Sequence, residues 1–255
     1  EIERIYRDEI DLASNCDCVV AVSESDRAAF RKHGIRNVEL LGHQLAATPT
    51  SESFEERNGL LFIGAIHEES SPNGDSMIWF LTEVWPRIRT ALGAGVTLTI
   101  AGINKSDRVR ELAGEGVTVT GHLEDLSDLY ARARVFIAPT RFAAGIPHKV
   151  HEAAARGIPV VATSILSRQL NWSDGKECFV ADEAAAFAER CIELQTNPAA
   201  WAQIRNEALN AIKRECSPET FERQLQQILS HSAKVEGRYA DARIDRKSTR
   251  LNSSH

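Results

Sequence analysis

Short apolar runs, most of them closed by glycine or proline and each followed by a helix-like segment, constrain this chain more than any other feature. Leu60–Ile63 ends at Gly64, residues 96–100 lead to Gly102, 117–119 to Gly121, and Val135–Ala138 to Pro139; residues 159–163 close the series. Strands that are apolar throughout must be buried on both faces, and alternation with helices makes such a sheet parallel and covered on both sides. Between them, residues 75–90 place Met77, Ile78, Phe80, Leu81, Val84, Trp85 and Ile88 on a broad apolar helix face. Shorter helices are expected over 106–113 and 125–133, and later ones over 183–195, 198–214 and 217–230. The fold class is therefore α/β, a doubly wound parallel sheet of Rossmann type. Such sheets bind ligands beyond the C-terminal strand ends, where the strand order reverses. Gly64, Gly102, Gly121 and the loop from Arg141 to Lys149 all fall at those ends.

The first 45 residues stand apart. A helix over 3–15, a strand over 18–23, a helix from Ser23 to about Lys32 and a strand over 37–41 are expected. Ser23 and Asp26 are placed like a capping box. Residues 44–58 lack periodicity and read as a linker. This gives a segment 1–45, a domain over 46–235 and a tail over 236–255. Residues 245–255 have no hydrophobic pattern and resemble translated adapter sequence, with an ordinary disordered tail as the alternative. The chain is expected to be cut at its N-terminus, since Glu1 is not an initiator.

Composition narrows the class of partner. A net charge of −6 over 255 residues gives no bulk attraction to nucleic acid. No apolar run approaches the roughly 18 residues of a membrane span. The expected location is the cytoplasm, with peripheral attachment at the inner membrane face as an alternative. The five cysteines, Cys16, Cys18, Cys178, Cys191 and Cys216, are odd in number and scattered, which argues against a disulfide framework. Cys16 and Cys18 are expected to be buried at a helix–strand junction rather than to bind metal.

Residues 141–161 carry the chemistry. They read as a strand end, a glycine loop, a short helix and a new buried strand. Arg141, His148 and Lys149 come before any acid, and the first acid is Glu152. Pro147 suits the first helical turn and Gly157 the position past the helix end. A cation at a helix N-terminus is unfavourable against the dipole unless an anion joins it, and free N–H groups there favour phosphate or carboxylate. Glu152 follows Lys149 by three residues on the same face, where it can accept from hydroxyls beside that anion. Phosphate beside a diol is the outline of a nucleotide. The alternative is an amphipathic helix with solvated basic residues. No Walker A loop, glycine-rich dinucleotide turn, nucleophile elbow or metalloprotease motif is present. His148 and Glu152 are spaced for a metal pair but lack a third ligand, so no metal site is expected.

Four stretches together resemble the C-terminal half of a GT-B glycosyltransferase of the broad family 4 group. They are residues 17–24, ending Val20-Ala21-Val22-Ser23-Glu24; Leu61-Phe62-Ile63-Gly64 with Pro72-Asn73-Gly74-Asp75; Val119-Thr120-Gly121-His122-Leu123 with Leu129-Tyr130; and residues 149–161. The resemblance implies two Rossmann-like domains, of which residues 1–45 are the end of the acceptor domain and 46–235 the nucleotide-sugar domain. It implies that Arg141 and Lys149 face the donor diphosphate, helped by N–H groups near Ile146 and Val150, with Gly145 also among the donor-binding residues. By the same carry-over Glu152 binds the ribose hydroxyls, Gly121, His122 and Leu123 meet the base, and Gly64 allows close approach of the donor. Many family members have a second glutamate eight positions before the ribose-binding one; here that position is Ala144. The pattern Arg141-x-x-x-Gly145-Ile146-x-x-Lys149 is closer to a basic branch of the group.

The activity so implied is transfer of a sugar from a UDP-, GDP- or ADP-sugar to a glycan, lipid or small-molecule hydroxyl. No metal or further cofactor is needed, and the fragment alone is expected to be inactive. Two rivals remain: a sugar-nucleotide epimerase on the same architecture, and a non-catalytic nucleotide-binding module.

Overall fold

A computed structural model describes residues 2–142 and 145–230. Ala143, Ala144 and the tail over 236–255 lie outside the described residues. Contacts divide the chain into two units, one of residues 2–44 with 218–230 and one of Leu45–Ser217. The final helix, over 218–230, thus groups with the first segment rather than with the 46–235 domain in which the sequence placed it. No helix among the described residues is long and apolar enough to cross a membrane.

The first unit contains α1 (Ile2–Ser14), β1 (Val19–Ala21), α2 (Glu24–Lys32) and β2 (Val38–Leu40) besides that final helix. The two strands pair in parallel, Val19 opposite Val38. Ala13, Ala21, Ile35 and Val38 form a small core. The Ser23 hydroxyl accepts the Asp26 N–H at 3.1 Å, so the expected cap is present. The cysteines between α1 and β1 differ from expectation: Cys16 is exposed and Cys18 only partly buried. The short junction turns its side chains outward, and the small core is filled by alanine and branched residues instead.

The larger unit is a six-stranded parallel sheet in the order β5-β4-β3-β6-β7-β8. Its strands are β3 (Leu60–Ile63), β4 (Leu98–Ala101), β5 (Val117–Gly121), β6 (Val135–Ala138), β7 (Val160–Ala162) and β8 (Phe179–Val180). Its helices are α3 (Pro72–Trp79), α4 (Trp85–Leu92), α5 (Asp107–Leu112), α6 (Ser127–Arg132), α7 (His148–Ala155), α8 (Ser164–Leu170), α9 (Ala184–Thr196) and α10 (Pro198–Glu215). Side chains alternate between faces, as the pleat requires. Leu60, Phe62, Val135 and Ile137 pack with Phe80, Ile88 and Phe187 on one side. Leu61, Phe136 and Ala138 pack with Val150, Ala154 and Ile212 on the other. The apolar runs are apolar throughout because both faces are covered.

The helix expected over 75–90 is interrupted. A π-helical turn over Phe80–Val84 joins α3 to α4. Pro86 lies at the start of α4 and has no N–H to continue an α-helical ladder.

The stretch read as a linker is not one. Residues 45–58 cross the larger unit as a strap without regular structure. Leu45 donates to the Cys216 carbonyl at 2.7 Å, Thr48 to Ala155 at 2.9 Å and Thr50 to Arg156 at 3.1 Å. Arg57 is fully buried. Its guanidinium donates to the carbonyls of Tyr130 and Ala133, both at 2.9 Å, to Glu52 at 3.1 Å and to the Thr50 hydroxyl. A strap that borrows acceptors from helix ends has no period of its own, so it looks like a loop in sequence.

Candidate functional site

The strand order reverses at β3, which pairs with β4 on one side and β6 on the other. The loops that follow β3 and β6 therefore leave the same edge side by side. The first supplies Gly64 and the opening turn of α3; the second supplies Arg141 and the start of α7.

Lys149 lies in the first turn of α7, whose N-cap, Pro147, makes no side-chain capping bond. The Lys149 ammonium donates to Asn73 Oδ1 at 2.8 Å and stands 4.7 Å from the centre of the Phe62 ring. Burial lowers its pKa to about 8. Asn73 is fixed at its other end, where Nδ2 donates to the Ala65 carbonyl at 2.9 Å. That amide fills the space above Gly64: a Cβ there would lie 2.8 Å from Asn73 Nδ2. Gly64 thus makes room for a side chain of its own chain, a reason distinct from the approach of a ligand expected from sequence.

Arg141 is engaged differently. Its Nε donates to Asp75 Oδ2 at 2.8 Å, and a second guanidinium nitrogen reaches Asp75 Oδ1. The pairing raises the Arg141 pKa. The guanidinium also lies 5.8 Å from the Trp79 ring centre. Asn73 and Asp75, two residues apart in the first turn of α3, thus hold the two cations of the facing loop.

Glu152, one turn after Lys149, is exposed and accepts the Tyr130 hydroxyl at 3.3 Å. Burial, and next the charge of Glu152, raise the Tyr130 pKa. Beside Glu152 is a pocket of about 310 Å³, with Asp125, Leu126, Ser127, Tyr130 and Arg156 in its wall. The Ser127 side chain, and next its N–H, which donates to Asp125 Oδ1 at 2.9 Å, lower the Asp125 pKa.

Gly121 closes β5 with φ of +73°, and its carbonyl accepts the Gly102 N–H at 2.9 Å. His122 and Leu123 are exposed and lie just before the residues that line the pocket. Gly145 has φ of +81°, Ile146 packs against the core, and Val150 is fully buried. The Val150 N–H, expected to face an anion, donates instead to the Pro147 carbonyl at 2.9 Å, and the His148 N–H donates to Ile146 at 2.9 Å. Ala144, the position of the missing second glutamate, lies outside the described residues. Asn73, Asp75, Tyr130, Asp125, Ser127 and Arg156 were not singled out as site residues in the sequence. Asn73 and Asp75 were visible only as part of the 72–75 stretch, because a polar side chain in a helix's first turn looks like a cap.

The fold is similar to that of several solved structures. TarM of S. aureus, in a complex with Fondaparinux, alpha-GlcNAc-glycerol and UDP, matches with a TM-score of 0.72 and 14% identity over 86% of this chain and 45% of that one. HepE from Anabaena, in a complex with UDP and glucose, matches with 0.71 and 19% identity over 88% of this chain and 66% of that one. Sucrose-phosphate synthase from Thermosynechococcus elongatus matches with 0.71 and 17% identity over 89% and 61%. At these identities the likeness is one of fold. The chain spans between 45% and 66% of the length of these three. No curated protein sequence matches it. The span that one family's sequence pattern covers lies within the larger unit and takes in its sheet reversal at β3 and the cations beyond β6: residues 57–197 match glycosyl transferases group 1, and the chain belongs to that family.

Proposed function

We propose that the larger unit, Leu45–Ser217, forms the donor-binding part of a glycosyltransferase that moves a sugar from a nucleoside-diphosphate sugar to an acceptor hydroxyl. The observation that carries this reading is the placement of Lys149, Arg141 and Glu152 at one sheet edge, at the reversal of strand order, with a pocket beside Glu152. Lys149 and Arg141 bind the diphosphate. Glu152 accepts from the ribose hydroxyls. The base lies against the turn formed by Gly121, His122 and Leu123 and the pocket wall after it. Gly145 and Ile146 shape the loop over the phosphates, Val150 anchors the helix that carries Lys149, and Gly64 lets Asn73 reach Lys149.

Bond cleavage leaves charge on the β-phosphate of the departing nucleotide. Fixed cations aimed at that charge stabilise the transition state without reorganising. Lys149 suits this task, because a desolvated ammonium interacts more strongly than one in water. The scheme calls on no metal. The acceptor (a glycan, a lipid or a small molecule) is bound outside the larger unit, and the reaction in this proposal runs in the cytoplasm.

Calorimetric titration of the chain with UDP, GDP and ADP tests the reading. It expects one of the three to bind and Glu152→Ala to weaken that binding. A folded chain that binds none of them, or that binds equally well without Glu152, contradicts it.

A further inference from the structure

Asn73 and Asp75 treat their cations in opposite ways. Asn73 offers Lys149 a neutral oxygen, which orients the ammonium without cancelling its charge. Two of the three N–H donors of a lysine remain for a ligand. Asn73 is itself tied to the Ala65 carbonyl and lies over Gly64, which holds its amide toward Lys149. Among the described residues no carboxylate lies within ion-pair distance of Lys149. Asp75 instead gives Arg141 a full counter-charge along two nitrogens. Its carboxylate has no other partner among the described residues, and the Arg141 side chain is 46% exposed. An ion pair so exposed to water is weak, and an incoming group of higher charge displaces it readily.

We propose that the first turn of α3 gives the two cations distinct roles toward a diphosphate, a proposal that rests on the donor-site reading above. Lys149 is the permanent phosphate ligand, aimed by Asn73 as a positioning residue. Arg141 is a conditional ligand, screened by Asp75 until the diphosphate displaces that carboxylate. The empty site then never carries two uncompensated cations. When the sugar has been transferred, Asp75 re-pairs with Arg141 and favours departure of the nucleoside diphosphate. No bond is made or broken in this step; one ion pair is exchanged for another.

The test is titration of the chain with UDP, GDP and ADP, and with inorganic pyrophosphate as a probe that has no base. Asp75→Asn keeps the shape and removes the charge. It should tighten binding about three- to fivefold, and the gain should vanish in an Arg141→Ala background. Asn73→Asp should weaken binding about tenfold. It should also shift the fall in affinity with rising pH toward more alkaline pH, because a carboxylate beside Lys149 favours its charged form; a merely structural role would not move that profile. Unchanged or weaker binding by Asp75→Asn, or an unmoved pH profile in Asn73→Asp, overturns the proposal. If the chain binds a nucleotide through Glu152 yet ignores Asp75→Asn, only the proposal falls. If it binds neither nucleotide nor pyrophosphate, the donor-site reading falls with it.

Discussion

Lys149 Nζ donates to Asn73 Oδ1 at 2.8 Å, joining the loop after β6 to the loop after β3 across the reversal of the sheet. The contact holds a partly buried cation in place without neutralising it, which is what an anion site needs before its ligand arrives.

Lys149→Ala should weaken binding of the nucleoside diphosphate about 10- to 100-fold, the range for loss of one hydrogen bond to a charged group. Calorimetry at low salt reads this directly, and unchanged affinity contradicts the assigned role.

Binding should also depend on pH. Burial sets the Lys149 pKa near 8 in the free chain, and a bound diphosphate raises it. The stabilisation from charged Lys149 is therefore fully present below pH 8 and is lost as pH rises through the higher, bound value. Near pH 8.5 binding should take up protons, by a fraction of one per ligand. Titration in buffers of different ionisation heat checks the uptake; its absence contradicts the pKa assignment or the contact.

Gly64→Ala and Gly102→Ala should part ways. A Cβ at Gly64 meets the end of the Asn73 side chain at 2.8 Å, so the fold survives while Asn73 is pushed from Lys149 and nucleotide affinity falls. A Cβ at Gly102 lies 2.6 Å from the Gly64 carbonyl oxygen, on a backbone with φ of +120°. That change should cost about 2–3 kcal/mol in denaturant unfolding. Equal loss of stability in both variants contradicts this distinction.

Arg57→Ala should destabilise the larger unit by about 2–4 kcal/mol, because it leaves the buried carbonyls of Tyr130 and Ala133 without donors. Arg57→Lys should not restore it, since a lysine cannot reproduce the guanidinium fork. Chemical denaturation of the three proteins gives the answer, and a stable Arg57→Lys contradicts the account of the strap.

The parallel sheet was legible because burial on both faces leaves an unmistakable apolar run, as in Val135–Ala138. The cation loop and Glu152 were legible because charge order along a short helix is a local property. The strap was not: Arg57 reaches Tyr130 and Ala133, more than seventy residues away, and no local pattern records that. β8 has only two residues, too few to show a period, and α8 is only seven residues long. Asn73 and Asp75 were hidden for the same reason as the strap, since their partners are 76 and 66 residues distant.

A crystal structure of the chain with its preferred nucleoside diphosphate tests the central claim most directly. The account predicts phosphate oxygens within hydrogen-bond distance of Lys149 Nζ and the Arg141 guanidinium, and ribose hydroxyls on the Glu152 carboxylate. A nucleotide bound elsewhere, with Lys149 still joined only to Asn73, would contradict it.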